Sequence, residues 1–120
     1  MSGERILVVD DEKAIRDILS MFLPKEGYDF KLAVNGEDAL LAIGESAGNF
    51  DLIISDIDMP RMNGIEMAQN ITRKIPIIFM SGRPSSLERV RLTNLPNFAG
   101  AVGKPFSLED LSNMIKKTLA

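Results

Sequence analysis

Four unbroken apolar runs punctuate the chain: Ile6-Leu7-Val8-Val9, Leu52-Ile53-Ile54, Ile77-Ile78-Phe79-Met80 and Phe98 to Val102. None alternates with polar residues, the pattern of parallel strands covered on both faces. A fifth segment, Tyr28 to Val34, alternates in part and is expected nearer a sheet edge. Helical periodicity fills the gaps. Ile15, Ile18, Leu19, Phe22 and Leu23 fall at offsets 0, 3, 4, 7 and 8, one side of a helix. Ala39, Leu40 and Ile43 predict a second helix, Ile65, Ala68 and Ile71 a third, and Leu87 and Val90 a fourth. Leu108, Leu111, Ile115 and Leu119 predict the last.

Capping signals agree with these elements. Asn35 with Asp38, Asn63 with Glu66, Ser85 with Glu88 and Ser107 with Asp110 each place a cap three residues before an acid. The acid also complements the positive end of the helix dipole. Gly27 reads as a helix stop, with Pro24 an earlier possible end. Strand and helix thus alternate five times, predicting an α/β fold with a parallel sheet, right-handed crossovers and helices on both faces. No repeat, low-complexity tract or linker interrupts residues 1–120, which read as a single domain.

Composition narrows the function. The chain carries 14 Lys plus Arg against 17 Asp plus Glu, a net charge of -3, which argues against direct nucleic-acid binding through a basic face. Cysteine and histidine are both absent, which excludes disulfides, zinc-thiolate sites, Ser-His triads and a phosphohistidine carried by the chain itself. No apolar run approaches the ~20 residues of a membrane span. The opening Met1-Ser2-Gly3-Glu4-Arg5 has no signal-peptide architecture. A soluble, cytoplasmic domain is the expectation, without membrane insertion.

Candidate chemistry gathers after the apolar runs. Asp10-Asp11 follow the first, Ser55-Asp56 the run at Leu52, Ser81-Gly82 the run at Ile77, and Gly103-Lys104 the last. In open α/β sheets, ligands bind beyond the carboxyl ends of the strands. Each residue alone also suits a turn, a cap or an exposed side chain. Together, three converging carboxylates would repel and raise one another's pKa, and a hard divalent cation relieves that repulsion. Carboxylates, water and a backbone carbonyl suit Mg²⁺; Lys104 and Ser81 suit phosphate oxygens, and Gly82 leaves its N–H open to an anion. Pro105 permits a cis peptide after Lys104.

These residues, in this order, strongly resemble the receiver domain of two-component response regulators, over about Arg5 to Leu119. The motifs are Val8-Val9-Asp10-Asp11-Glu12, Asp51-Leu52-Ile53-Ile54-Ser55-Asp56-Ile57-Asp58-Met59-Pro60, Met80-Ser81-Gly82 and Gly103-Lys104-Pro105-Phe106. The resemblance implies a CheY-like, flavodoxin-like doubly wound (βα)5 fold with its five-stranded parallel sheet in order 2-1-3-4-5. It implies Asp56 as phosphoryl acceptor, and Mg²⁺ bound by Asp11, Asp56 and the Asp58 backbone carbonyl, with Asp10 acting through a metal-bound water. Lys104 would hold the phosphoryl group or Asp56, Ser81 would bond a phosphoryl oxygen, and the backbone N–H groups of Asp58 and Gly82 would complete the cradle. The implied donor is a phosphohistidine on a sensor histidine kinase or phosphotransfer protein, or an acyl phosphate. A downstream protein target would read the Ser85 to Leu119 face.

The chain departs from the family pattern in three places. Ala101 stands where an aromatic usually precedes the lysine by three residues. The interval from Asp56 to Ser81 is short, so a trimmed third helix or following loop is expected. Asp58 and Arg83 occupy the positions two past Asp56 and Ser81, and are expected to face each other across the mouth of the site. Two other readings accompany the receiver: a phosphorylation-independent interaction module on the same fold, and a phosphatase resembling the haloacid dehalogenases, with Asp56 as nucleophile and Asp58 as general acid. That family normally has Thr or Val where Pro60 stands. Since the last helix ends with the sequence, a stand-alone receiver and a domain of a longer protein are both compatible.

Overall fold

The computed structural model describes residues 3–45 and 49–120; Met1 and Ser2, part of the N-terminal segment read above, lie outside these. The elements are β1 (Arg5–Val9), α1 (Lys13–Lys25), β2 (Asp29–Ala33), α2 (Gly36–Gly44), β3 (Leu52–Asp56), α3 (Gly64–Gln69), β4 (Ile77–Ser81), α4 (Pro84–Leu92), β5 (Phe98–Gly103) and α5 (Leu108–Leu119). The strands form one parallel sheet in order β2-β1-β3-β4-β5, the flavodoxin-like arrangement expected.

Alternate residues of each strand point to opposite faces, and this divides the core in two. Leu7, Val9, Ile53, Ile77 and Phe79 pack with residues of α2, α3 and α4. Ile6, Val8, Leu52, Ile54, Ile78 and Met80 pack with residues of α1 and α5. The central strands β1, β3 and β4 are buried almost end to end, as their unbroken apolar runs require. β2 lies at one edge, as its alternation suggested. β5 lies at the other and is half-buried along most of its length; an apolar run of small residues does not itself distinguish an edge strand from a central one.

Local signals explain most boundaries. Asn35 caps α2 by accepting from the Asp38 N–H, Asn63 and Glu66 form a reciprocal capping box on α3, and Ser107 accepts from the Asp110 N–H at the start of α5. The Ser85 cap expected for α4 does not form. That helix starts two residues earlier, at Pro84, whose fixed φ suits the first helical position, with Arg83 as N-cap and no side-chain cap bond. At the end of α1 the chain passes Pro24. It stops at Gly27, φ +90°, where the Gly27 and Tyr28 N–H groups donate to the Pro24 and Leu23 carbonyls. That is the paired bonding of a Schellman stop. The helical side of α1 is partly open: Leu19 and Leu23 are buried but Ile18 is exposed. α3 has only six residues and leaves Ile71 beyond its end, the trimming expected from the short interval.

Candidate functional site

Register builds the site. Val9 pairs with Ser55, so the next residues, Asp10 just past β1 and Asp56 at the end of β3, lie side by side. Ser81 pairs with Gly103, which sets Lys104 one step past the end of β5. Asp10, Asp11 and Asp56 each offer a carboxylate oxygen within 4.8 Å of the others. Asp10 and Asp56 are buried, whereas Asp11 is exposed.

Gly64 permits the turn that follows β3. A Cβ there would stand 2.4 Å from the Asp56 carbonyl oxygen and 3.0 Å from the Ile57 Cα. The Gly64 N–H donates to the Ile57 carbonyl at 2.8 Å, tying the start of α3 to the end of β3. At Gly82, by contrast, a Cβ would meet nothing within 4 Å; packing does not demand glycine there.

Lys104 is the cation of the pocket. Its Nζ donates to Asp10 Oδ2 at 2.8 Å and to Glu12 Oε1 at 2.9 Å, and lies 3.5 Å from Asp56 Oδ1. Its first partners are thus Asp10 and Glu12, with Asp56 third: β3 and β4 lie between β1 and β5, and the long lysine side chain spans the end of the sheet to reach the acids that follow β1. Glu12, to which the sequence reading gave no role, shares the lysine. Asp10 is held further by the Glu12 N–H on its Oδ1 and by Arg16 Nη1 on its backbone carbonyl. The Lys104–Pro105 peptide is cis.

These contacts set the electrostatics. Burial pushes the Asp56 carboxyl from its ordinary 3.8 up to about 7; Asp10 and Asp11 push the same way, while Lys104 opposes them. Burial also raises Asp10, against the hydrogen bonds from Lys104 and the Glu12 N–H. Burial acts to lower Lys104, yet its hydrogen bonds to Asp10 and Glu12 prevail and hold it above its usual value. The pocket thus stores unfavourable negative charge around a permanently cationic lysine. A divalent cation with oxygen ligands relieves that charge, so the donor set fits Mg²⁺.

The other side of the pocket carries hydroxyls. Ser81 Oγ donates to Asp58 Oδ2 at 2.5 Å, and Ser86 Oγ donates to Asp58 Oδ1 at 2.7 Å. The Arg83 N–H donates to Ser81 Oγ at 2.9 Å, and Arg83 Nη1 lies 3.8 Å from Asp58 Oδ1. Asp58 and Arg83 thus meet as expected. Sequence reasoning missed Ser86: nothing in Pro84-Ser85-Ser86 marks the second serine as the one turned inward. The Asp58 carboxylate is taken up by two serines and an arginine, an arrangement unlike that of a general acid poised beside Asp56.

A model of the response regulator receiver domain family matches residues 6–116. Among solved structures, the chain is similar to a CheY-like receiver domain protein from Methanospirillum hungatei, with 30% identity and a TM-score of 0.86 over 98% of this chain and 94% of that one. It is similar to the chemotaxis response regulator CheY4 of Vibrio cholerae, with 28% identity and a TM-score of 0.85 over 98% and 100%. It also resembles the receiver domain of the hybrid histidine kinase CckA, with 31% identity and a TM-score of 0.78 over 97% and 99%. The chain belongs to the response regulator receiver domain family. Such domains are signalling modules of two-component systems that typically bind Mg²⁺ in an acidic pocket, and this chain has an acidic cluster of Asp10, Asp11 and Asp56. Among the described residues no helix is long and apolar enough to cross a membrane.

Proposed function

We propose that this receiver domain accepts a phosphoryl group on Asp56 in a Mg²⁺-dependent reaction and presents the result to a protein partner. One observation carries the reading: Asp56, 4% exposed, sits among Asp10, Asp11 and Lys104, a cluster that core packing does not require and that destabilises an unneutralised carboxylate. Asp11, Asp56 and the Asp58 carbonyl would hold Mg²⁺, with Asp10 behind a metal-bound water. The cation would supply charge neutralisation at the phosphoryl oxygens.

The chain's own residues supply the rest. An Asp56 carboxylate oxygen attacks phosphorus in line, forming the Asp56 O–P bond as the bond to the donor nitrogen or acyl oxygen breaks; the leaving group departs with that electron pair. Lys104 Nζ, already 3.5 Å from Asp56 Oδ1, neutralises an equatorial oxygen. The Ser81 hydroxyl bonds a second, and the Asp58 and Gly82 N–H groups complete the cradle. With no histidine in the chain, the donor is external: a sensor kinase, a phosphotransfer protein or a small acyl phosphate. The expected reader surface is the Ser85 to Leu119 face, where Leu92 is 77% exposed and β5 half-buried.

The test is intact mass after incubation with acetyl phosphate and Mg²⁺, beside Asp56→Asn and an EDTA sample. One added phosphoryl group, lost in both controls, is expected. No adduct together with no Mg²⁺ binding overturns the reading. A phosphorylation-independent interaction module would then take its place, a reading that Ala101 favours because no aromatic there follows the Ser81 hydroxyl.

A further inference from the structure

We propose that the Asp58 carboxylate couples the Ser81 hydroxyl to helix α4 through Ser86, giving the pocket a mechanical output that needs no aromatic at position 101. The inference rests on the reading of Ser81 as a phosphoryl ligand, and it is carried by three geometric facts.

The first is the sharing of Asp58. One of its oxygens accepts from Ser81, at the end of β4, and the other from Ser86, in the first turn of α4. Arg83, the N-cap residue of that helix, lies 3.8 Å away and is itself bonded to Ser81 Oγ through its backbone N–H. Among the described residues, every side chain bonded to Asp58 therefore comes from β4 or from the start of α4.

The second is the arithmetic of a hydroxyl. Ser81 Oγ carries one proton, and the closer of its two acceptors is Asp58 Oδ2 at 2.5 Å, the Arg83 carbonyl lying at 3.3 Å. A phosphoryl oxygen on Asp56 would claim the same proton. Asp58 and the phosphoryl oxygen cannot both be served, so Ser81 leaves Asp58 Oδ2 when it turns to the phosphoryl group. Asp58 then keeps partners only on α4, and a carboxylate balanced between strand and helix becomes one held by the helix alone.

The third is the uncapped start of α4. Of its nine residues only Ser86 and Val90 are buried, and its N-terminus has no side-chain cap of its own. α5, by contrast, starts at a Ser107 side-chain cap. Asp58 supplies from the β3–α3 loop a negative group at the first turn of α4, favourable to the dipole there. Leu87 and Val90 hold the helix to the core and Arg91 Nη2 donates to the Ala101 carbonyl, but in the first turn the tie is Ser86 to Asp58, so a change there acts on the start of the helix.

Ala101 fits this arrangement. It packs against the same half of the core as Leu87 of α4, and a methyl group has no rotamer with which to follow a hydroxyl. Asp58 and Ser86 are thus positioning residues that act on the helix, not on phosphorus.

The coupling is testable without a phosphoryl group, by amide hydrogen exchange on Ser81→Ala, Ser86→Ala and the double variant. Each single change is expected to speed exchange across residues 86–92 by about tenfold, the scale of one hydrogen bond to a charged group. The double variant is expected to exchange no faster than either single one, since each breaks the same bridge. Multiplying effects, or unchanged exchange in α4, would overturn the proposal. Exchange in β1 and β3 serves as the folding control. If it speeds as well, Asp58→Asn, which keeps the shape and removes the charge, replaces the serine variants, and unchanged α4 exchange there likewise overturns the coupling. A second arm adds Mg²⁺ and beryllofluoride: α4 protection should change in the wild type and not in Ser86→Ala. A wild type that takes no adduct sinks the phosphoacceptor reading, while the cycle alone still decides the coupling.

Discussion

Replacing Asp56 with Asn should stabilise the metal-free protein, and by more as the pH rises. The substitution keeps the shape of the side chain and removes its charge. In the folded state burial, Asp10 and Asp11 raise the carboxyl from 3.8 to about 7 against the pull of Lys104. An acid whose folded pKa exceeds its unfolded value binds more protons when folded, between those two values. Stability is therefore lost as pH climbs from about 4 to about 7, and the loss is complete above that. At roughly 1.4 kcal/mol per pH unit, the full span amounts to about 4 kcal/mol by pH 8. Around pH 5.5 roughly half of it has been incurred. The advantage of Asp56→Asn should thus grow by about 2 kcal/mol between these two conditions, or about 8 °C in melting temperature for a domain of this size. Urea unfolding in EDTA at both pH values measures it. Added Mg²⁺ should stabilise the wild type and do much less for the variant, which lacks the charged ligand. An advantage that stays constant with pH, or an Asn variant less stable at pH 8, would refute the claim that burial and like charge strain this carboxylate.

Three further outcomes follow from the same geometry. Lys104→Met removes the cation bonded to Asp10 and Glu12 and should cost about 3 kcal/mol or more at pH 8, with a smaller loss in acid as Asp10 and Asp56 protonate; equal losses at both pH values in urea melts would contradict it. Gly64→Ala brings a methyl 2.4 Å from a backbone oxygen that cannot yield, and should cost about 2 kcal/mol or more in urea unfolding. Wild-type stability would disprove the close approach. Arg83→Ala removes the partner 3.8 Å from Asp58; the arginine side chain is 70% exposed, so stability should change by less than about 1 kcal/mol. If the pair screens the phosphoryl group from water, its half-life should shorten a few-fold, and an unchanged lifetime would remove that role.

The acceptor pocket was legible because its chemistry sits on strand ends. Asp10, Asp56, Ser81 and Lys104 each follow an apolar run, and parallel strands in one sheet deliver such residues to the same end of the sheet, beyond the strands' carboxyl ends. What stayed hidden depends on contacts between elements distant in sequence. Ser86 meets Asp58 across 28 positions, and only the seating of α4 decides that this serine, and not Ser85, turns inward. Gly64 is required by a backbone approach that no local pattern encodes. The misread Ser85 cap shows two local signals in conflict. A Ser three residues before an acid competed with a proline one residue upstream, and the proline's fixed φ set the boundary. β5 shows the limit of apolar counting: Ala99, Gly100 and Ala101 are apolar wherever the strand lies.

The division of the core by the sheet has a consequence for how such a protein changes over time. The α1 and α5 half touches the pocket through Glu12 and Lys104, while the α4 half touches it through Ser81, Asp58 and Ser86. The side chains of the two halves pack on opposite faces of the strands, and substitutions that share no partners combine almost additively. A lineage carrying this domain can therefore retune the half around α1 and α5 while the half around α4 keeps its fit, and the reverse. Only the few groups around Asp56 are answerable to both.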